Sequence, residues 1–271
     1  MVGAEKRGGR GRGPVRDRLA AALLAVSVLA GVAGCTGGGT ADNKPSPAAS
    51  PAGPPPRTER QLTAAALSDG ERAGVYTVST YPLGGPLDTD YTAAPAVCQP
   101  LVSLAPGVSG FRPAAEVGRR AEDPRETLGV TVDVRLRSYA GQGAARVMKA
   151  LTTAARACAG GFTEDRLSLV RATYLAVETV KPPHLGDDSV AYRFTIRDVR
   201  GEKSGESGKS EKSKKKLYEY LTVVRSGPTT LSFRAEVTGT KATGTKDIGT
   251  KDAGAVPVDV IRAQWAKFDA S

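Results

Sequence analysis

Residues 130–137 read VTVDVRLR, and this alternation of apolar and polar side chains decides the fold class. A period of two is typical of a β-strand with one face on a core and the other in water. Residues 190–196, VAYRFTI, repeat the pattern. Strands of a parallel sheet are buried on both faces and are apolar throughout, so the alternation predicts an antiparallel sheet.

More strands lie on both sides of this segment. Residues 217–223 and 231–237 each predict a strand, and the turn residues 226–228, Ser-Gly-Pro, join them as a hairpin. Residues 74–78 predict an early strand.

Two amphipathic helices complete the domain. In residues 143–158, apolar side chains recur at spacings of four, three and four, and the glycines at 160 and 161 end the helix. Pro257 suits a first helical turn, and apolar side chains after it fall on one face. We therefore predict an α+β domain over residues 60–271, an antiparallel sheet with helices packed on one face.

The N-terminal segment predicts export and a lipid anchor. Residues 1–18 hold six basic and two acidic residues, and residues 19–33 are almost entirely apolar. This is the layout of a secretory signal, and the apolar run is too short to span a bilayer comfortably. Residues 32–35, VAGC, resemble the bacterial lipobox, which implies a diacylglyceryl group on the Cys sulfur and cleavage just before it.

We therefore expect a signal peptide over residues 1–34 and an acylated Cys35 that places the chain on the extracytoplasmic face of the cell membrane. An ordinary cleaved signal with an incidental cysteine is the alternative.

Three hydrophilic segments do not belong to the predicted core. Residues 36–57 contain six prolines and four glycines without a large apolar side chain, which predicts a disordered tether over residues 35–59. Residues 200–216 are rich in Lys, Glu and Ser, and residues 238–254 repeat Gly-Thr-Lys. We interpret the last two as surface insertions, since loop extension costs little stability.

Most of the net positive charge of the chain lies in the N-terminal signal and in one of the two predicted insertions. The formal net charge is +10, and residues 1–34 and 200–216 each contribute +4, so the remainder is nearly neutral. This composition argues against nucleic-acid binding. The Lys214-Lys215-Lys216 run is either a solvated loop or a site for polyanions such as teichoic acids or anionic lipids.

The other two cysteines predict a disulfide. With Cys35 acylated, Cys98 and Cys158 remain as an even pair in an oxidising compartment; two free buried thiols are the alternative. The only histidine, His184, lies in a Pro-Pro-His-Leu-Gly stretch that predicts a solvent-facing turn. A catalytic Cys–His pair is therefore not expected.

Further motifs do not support enzymology. Residues 141–146, GQGAAR, resemble a dinucleotide-binding fingerprint, but Arg146 stands where the fingerprint has its final Gly or Ala. We therefore interpret this stretch as the glycine-rich start of a helix. The carboxylate pairs at 88–90 and 187–188 lack calcium-loop spacing and suit turns or caps. The sequence has no Gly-x-Ser-x-Gly elbow. We predict no catalytic residue, no metal site and no cofactor.

Short motifs carry a family resemblance. They are VCQPL at 97–101, ACAGGF at 157–162, LGDDSVAY at 185–192, FRAE at 233–236 and QWAKF at 264–268. These resemble an actinobacterial lipoprotein group that is similar to the extracellular sensor domain of PknH-type serine/threonine kinases. The resemblance implies an antiparallel sheet flanked by helices, with a groove able to take a ligand. It also implies two disulfides, of which only Cys98–Cys158 is available here.

Two main functions follow as hypotheses. The leading one is a non-enzymatic binding module for an envelope lipid, glycan or small metabolite, which an apolar groove of a few hundred cubic ångströms would favour. The other is a module that docks onto a cell-wall or secretion protein, which a filled core beside an exposed apolar patch would favour. A hydrolase is the weakest alternative.

Overall fold

The computed structural model describes residues 53–81, 87–125, 129–166, 170–197, 216–237 and 256–271. The predictions for Cys35, for the signal peptide and for almost all of both insertions lie outside these residues. Among the described residues, no helix is both long and apolar enough to cross a membrane.

The described residues form one ten-stranded antiparallel sheet with five α-helices around it. The strands are β1 (Arg72–Ala73), β2 (Tyr76–Ser79), β3 (Thr92–Ala94), β4 (Ala115–Glu122), β5 (Val130–Ser138), β6 (Phe162–Arg166), β7 (Val170–Val180), β8 (Asp188–Arg197), β9 (Lys216–Ser226) and β10 (Thr229–Val237). The helices are α1 (Glu59–Ala65), α2 (Gln99–Val102), α3 (Pro106–Ser109), α4 (Gly143–Ala157) and α5 (Val258–Asp269). The strand order is β1-β2-β4-β5-β10-β9-β8-β7-β6-β3. The predicted α+β class and antiparallel sheet are confirmed.

The centre of the sheet is the part that the sequence alternation predicts. β9 and β10 form the expected hairpin, and Gly227 at its turn has a φ of +54°, a value that favours glycine. β10 also pairs with β5, so that Phe233 lies opposite Val134. The long insertion of residues 200–216 falls between the paired strands β8 and β9, as expected.

The structure differs from the prediction in one respect, because helices cover both faces of the sheet. On β9, Tyr220 and Val224 join a core with α1 and α5. Leu221 and Val223, which point to the opposite face, join a second core with α4 and the segment of α2. The alternation of apolar and polar residues does not reveal that the central strands are covered by helices on both faces.

The N-terminal boundary of the domain lies inside the segment predicted as a tether. Thr58 caps α1 with a capping box that involves Gln61. The Arg57 N–H donates a 2.8 Å hydrogen bond to Ser138 Oγ, and the Arg57 guanidinium lies 4.3 Å from the centre of the Phe268 ring. The fold therefore begins at about Arg57, which contacts both the sheet and α5.

Candidate ligand-binding groove

One face of β4, β5 and β10 carries charged side chains in cross-strand register. Arg135 lies opposite Gly118 on β4 and Ser232 on β10. In the adjacent row, Asp133 lies between Arg120 and Arg234. The sequence pattern predicts that this face is in water, yet Arg135 and Arg137 are only 6% and 3% exposed. That expectation is wrong, because the segment of α2 and α3 and the side chain of Tyr81 cover the face.

A cavity of about 540 Å³ lies beside this face. It is bounded by α1, by the chain after β2, by the start of α3 and by β4. Eight of its twelve lining residues are polar or charged: Glu59, Thr63, Thr80, Tyr81, Thr89, Glu116, Arg119 and Arg135. The volume is in the range of small-molecule sites in proteins.

A smaller cavity of about 30 Å³ shares the lining residue Arg135 with the larger one. Three arginines, Arg135, Arg137 and Arg234, and one carboxylate, Asp133, line it. Arg135 lines both cavities, and the neighbouring residues Leu104 and Ala105 line one each. We call the two cavities together the groove.

The carboxylates near the groove do not supply an acceptor for every N–H group of its arginines. Arg137 Nη2 lies 2.8 Å from Glu116 Oε1, while Arg137 Nε has no acceptor among the described residues. Arg120 Nε donates to Asp133 Oδ1 at 3.3 Å. A buried guanidinium N–H without an acceptor is unfavourable, so the Arg137 Nε–H can donate a hydrogen bond to an additional partner.

Tyr81 forms the side of the groove next to β2. Its ring packs on Gly118, where an added Cβ would lie 2.6 Å from Tyr81 Cε2, so this position needs a glycine. The Arg120 guanidinium lies 5.4 Å from the ring centre. Burial, and then the charge of Asp133, raise the pKa of the Tyr81 hydroxyl, which stays protonated at neutral pH.

Arg234 joins the groove to a buried polar network. Its guanidinium donates to Glu219 Oε1 and to the backbone carbonyls of Leu101 and Val102, the latter at 3.0 Å. These carbonyls belong to the last turn of α2, so Arg234 holds this helix against the sheet. The position of α2, which forms one wall of the groove, therefore depends on these contacts of Arg234.

The network continues on β6 and β7. The Tyr174 hydroxyl donates to Glu164 Oε2 at 2.8 Å and lies 3.2 Å from Glu219 Oε2. Arg166 Nε donates to the same Glu164 oxygen at 3.0 Å. Two guanidinium groups and one hydroxyl thus hold two buried carboxylates together.

Glu236 adds a third carboxylate to this region. Burial, and then the negative charge of Glu219, raise its pKa to about 7, whereas Arg234 and Arg166 act in the opposite direction. Burial also raises the pKa of Glu219. Both carboxylates therefore bind a proton more readily than an exposed glutamate does.

The structure joins one pair of the predicted site residues. Cys98 and Cys158 form the predicted disulfide, with a Cα–Cα distance of 6.0 Å. Cys98 directly precedes α2 and Cys158 caps the end of α4, so the bond fixes the segment that forms one wall of the groove.

The other motifs have structural roles. His184 is exposed in the turn before β8, as predicted. Asp187 accepts hydrogen bonds from the Gly227 N–H at 2.7 Å and from Arg225, so it braces the β9–β10 turn. Gly141 has a φ of +54° and precedes α4, which agrees with a glycine-rich helix start. In the described parts of the chain, no group of three His, Cys, Asp or Glu side chains is placed to hold a metal ion.

Sequence reasoning missed the groove itself. The alternation places Arg135 and Arg137 in water, Arg234 enters only through the FRAE motif, and no pattern marks Tyr81. A signal was present, because two arginines lie on one face of a central strand. The sequence does not show which residues cover that face, since Tyr81, the Pro100–Pro106 segment and β10 are distant along the chain.

No protein-family model matches the chain, and a search of curated proteins finds no match. Among solved structures, the chain is similar to the crystal structure of the extracellular domain of PknH from Mycobacterium tuberculosis, with 13% identity and a TM-score of 0.48. The similarity covers 79% of this chain and 96% of that one. The short sequence motifs resemble the same kind of domain. A similarity at this level of identity assigns no ligand and no signalling role to this chain.

Proposed function

We propose that this protein is a lipid-anchored, extracytoplasmic and non-enzymatic binding module that takes a small polar metabolite or a glycan of the envelope in its groove. The observation that carries the proposal is the cavity of about 540 Å³, in which eight of the twelve lining residues have a polar or charged side chain. Such a cavity supplies many hydrogen-bonding groups to a hydroxylated molecule.

The lining argues against a lipid chain as the ligand. An acyl chain in this cavity would offer no hydrogen bond to the polar side chains that line it, among them Glu59, Thr63 and Thr80. The cavity has the expected volume, but only Ala105, Pro106, Val117 and Gly118 among its lining residues lack a polar side chain. A polar ligand therefore suits the groove better.

The surface gives less support to docking as the main function. Among the described residues, the exposed large apolar side chains are three valines, Val75, Val97 and Val258. Binding sites for proteins more often present a contiguous apolar patch.

Native mass spectrometry of the protein purified from the cells that make it tests the binding proposal. We expect an adduct of a small polar molecule that denaturation releases. Thr63→Trp, at an exposed position of α1 that lines the cavity, should remove the adduct. Ala64→Trp, at the next exposed position, which does not line the cavity, is the matched control. An adduct that survives Thr63→Trp would place the ligand elsewhere.

The anchor is supported by the VAGC tetrapeptide and by the disulfide, a bond typical of extracytoplasmic proteins. Two acyl chains on Cys35 would give stable membrane attachment, since a single chain binds only marginally. Intact mass spectrometry should show a chain that begins at a diacylated Cys35. Cys35→Ala should release the protein from the membrane fraction, and a variant that stays fully membrane-bound would refute the anchor.

A further inference from the structure

We propose that the groove binds a carboxylate, and that the small cavity between Arg135, Arg137 and Arg234 holds this group while the body of the ligand lies in the larger cavity. The inference rests on the proposed function and names the chemical class of its ligand. It makes these arginines, on β5 and β10, the residues that determine specificity.

Arg137 supplies the first observation. Its side chain is 3% exposed and lines the small cavity, yet its Nε–H has no acceptor among the described residues. Its salt bridge to Glu116 joins Nη2 and leaves Nε free of that contact. Because a buried charged donor needs an acceptor, a ligand oxygen is the partner that would complete this group.

The charge of the small cavity indicates an anion. Three guanidinium groups face one carboxylate, that of Asp133, and Arg120 already binds Asp133 Oδ1. Arg234 is partly neutralised by Glu219, which lies beneath the cavity. The side chains that line the small cavity therefore carry three positive charges and one negative charge, while Glu116 contacts Arg137 from outside that lining.

The size of the small cavity favours a carboxylate. A volume of about 30 Å³ is only about twice the 10–15 Å³ that one water molecule needs. A planar carboxylate matches the fork of an arginine, whereas a tetrahedral phosphate is bulkier and carries more charge. Ser103 and Ser232 also line the cavity and offer hydroxyl groups to the same oxygen atoms.

The two cavities are placed so that one molecule can occupy both. Arg135 lines each of them, and the consecutive residues Leu104 and Ala105 line one each. A hydroxylated acid would leave its carboxylate on the arginines and its hydroxyl groups beside Thr63, Thr80 and Glu116. An acidic sugar has this arrangement of groups.

Proton–nitrogen NMR of the Arg137 Nε–H tests the inference, because this resonance reports directly on a new acceptor. Sodium acetate should shift the resonance in a saturable way, while acetamide and sodium chloride at equal ionic strength should not. D-glucuronate should bind at least about tenfold more tightly than acetate, since its hydroxyl groups reach the larger cavity. D-glucose should bind at least about tenfold more weakly than D-glucuronate.

Two variants separate the role of the cavity from folding. Arg137→Gln should weaken D-glucuronate binding at least about tenfold, the usual effect of losing a hydrogen bond to a charged group. Ser232→Leu should fill the small cavity and weaken binding by a similar factor, although all three arginines remain. Arg225→Gln, in a partly exposed salt bridge on β9 away from the groove, is the control and should bind as the parent does.

The outcomes are distinct. A saturable acetate shift that Ser232→Leu abolishes supports the inference. Equal affinities for D-glucose and D-glucuronate would overturn it and leave the proposed function in place. The absence of any shift with either anion would also overturn it, while the adduct in native mass spectrometry tests the proposed function separately. A D-glucuronate affinity no higher than that of acetate would overturn the assignment of the ligand body to the larger cavity.

Discussion

Gln264 on α5 donates a 2.8 Å hydrogen bond from Nε2 to the backbone carbonyl of Ala65 at the end of α1. Its Oε1 accepts a 3.0 Å hydrogen bond from the Leu67 N–H, and the side chain is completely buried. One amide thus satisfies a donor and an acceptor at a helix end, where backbone groups lack intrahelical partners. The first and last helices of the domain are joined by this side chain.

Gln264→Met should therefore destabilise the domain. Methionine has a similar size but leaves the Ala65 carbonyl and the Leu67 N–H unsatisfied, so we expect the free energy of unfolding to fall by about 3 kcal/mol. Chemical denaturation measures this change. Arg262→Met, at an exposed position of the same helix, is the control and should change stability by less than about 0.5 kcal/mol. Equal effects of the two substitutions would contradict a structural role for the amide.

The disulfide should contribute strongly to stability. The Cys98–Cys158 bond closes a loop with a sequence separation of 60 residues, for which the chain-entropy model gives about 4 kcal/mol. Replacement of both cysteines by alanine should lower the free energy of unfolding by about that amount. Addition of a reductant should destabilise the parent protein and leave the double variant unchanged. If a reductant destabilised both proteins equally, its effect would not come from this bond.

The raised pKa of Glu236 predicts a specific pH dependence. In the folded state this pKa is about 7, and in the unfolded chain it is about 4.5. Between these values the folded state binds more protons, so the stabilising contribution is complete below about pH 4.5 and is lost as the pH rises through 7. The charged groups around Glu236 are Glu219, Arg234, Arg166 and Asp133.

Glu236→Gln should reduce this loss. Chemical denaturation from about pH 5 to about pH 8 should show a shallower fall in stability for the variant, which should exceed the parent in stability above neutral pH. Glu122→Gln, at a side chain that is 51% exposed, should keep the slope of the parent. An unchanged slope in Glu236→Gln would assign the titration to another group, with Glu219 the first candidate.

Tyr174 should stabilise the buried network through its hydroxyl. Tyr174→Phe keeps the ring stacked on Phe162, whose centre is 4.3 Å away, but removes the donor that lies between Glu164 and Glu219. We expect a loss of about 2 kcal/mol in unfolding free energy, since hydrogen bonds to charged groups are stronger than neutral ones.

Tyr192→Phe is the matched control for this substitution. Tyr192 is also buried, and its hydroxyl bonds to the neutral side chain of Thr152. Its loss should be smaller, about 1 kcal/mol. If Tyr192→Phe destabilised the domain as much as Tyr174→Phe, the carboxylates would not account for the effect.

The strands with clean alternation are predictable from the sequence. β5, β8 and the β9–β10 hairpin each carry regular apolar positions, and α4 shows an apolar stripe. The sequence does not predict β4, because only Val117 and Ala121 mark its buried face within AEVGRRAE. β7 is interrupted by a register shift between Tyr174 and Ala176, which breaks the period of two.

The groove depends on contacts that no local pattern contains. An arginine on a strand has the same sequence signature whether it faces water or a covering segment. Arg135 is buried by residues more than twenty positions away, and Arg234 meets Leu101 across 133 positions. Such pairings follow from the sheet order, which the periodicity of single strands does not specify.

Arg57 attaches to Ser138, the last residue of β5, whereas β8 ends at Arg197 and β9 starts at Lys216 at the opposite pole of the sheet. The strands between these poles are about 30 Å long. The leader thus joins one pole, and the chain departs into its lysine-rich stretch from the other. A change in the length or sequence of residues 198–215 therefore meets the domain about one strand length away from the contact of Arg57 with Ser138.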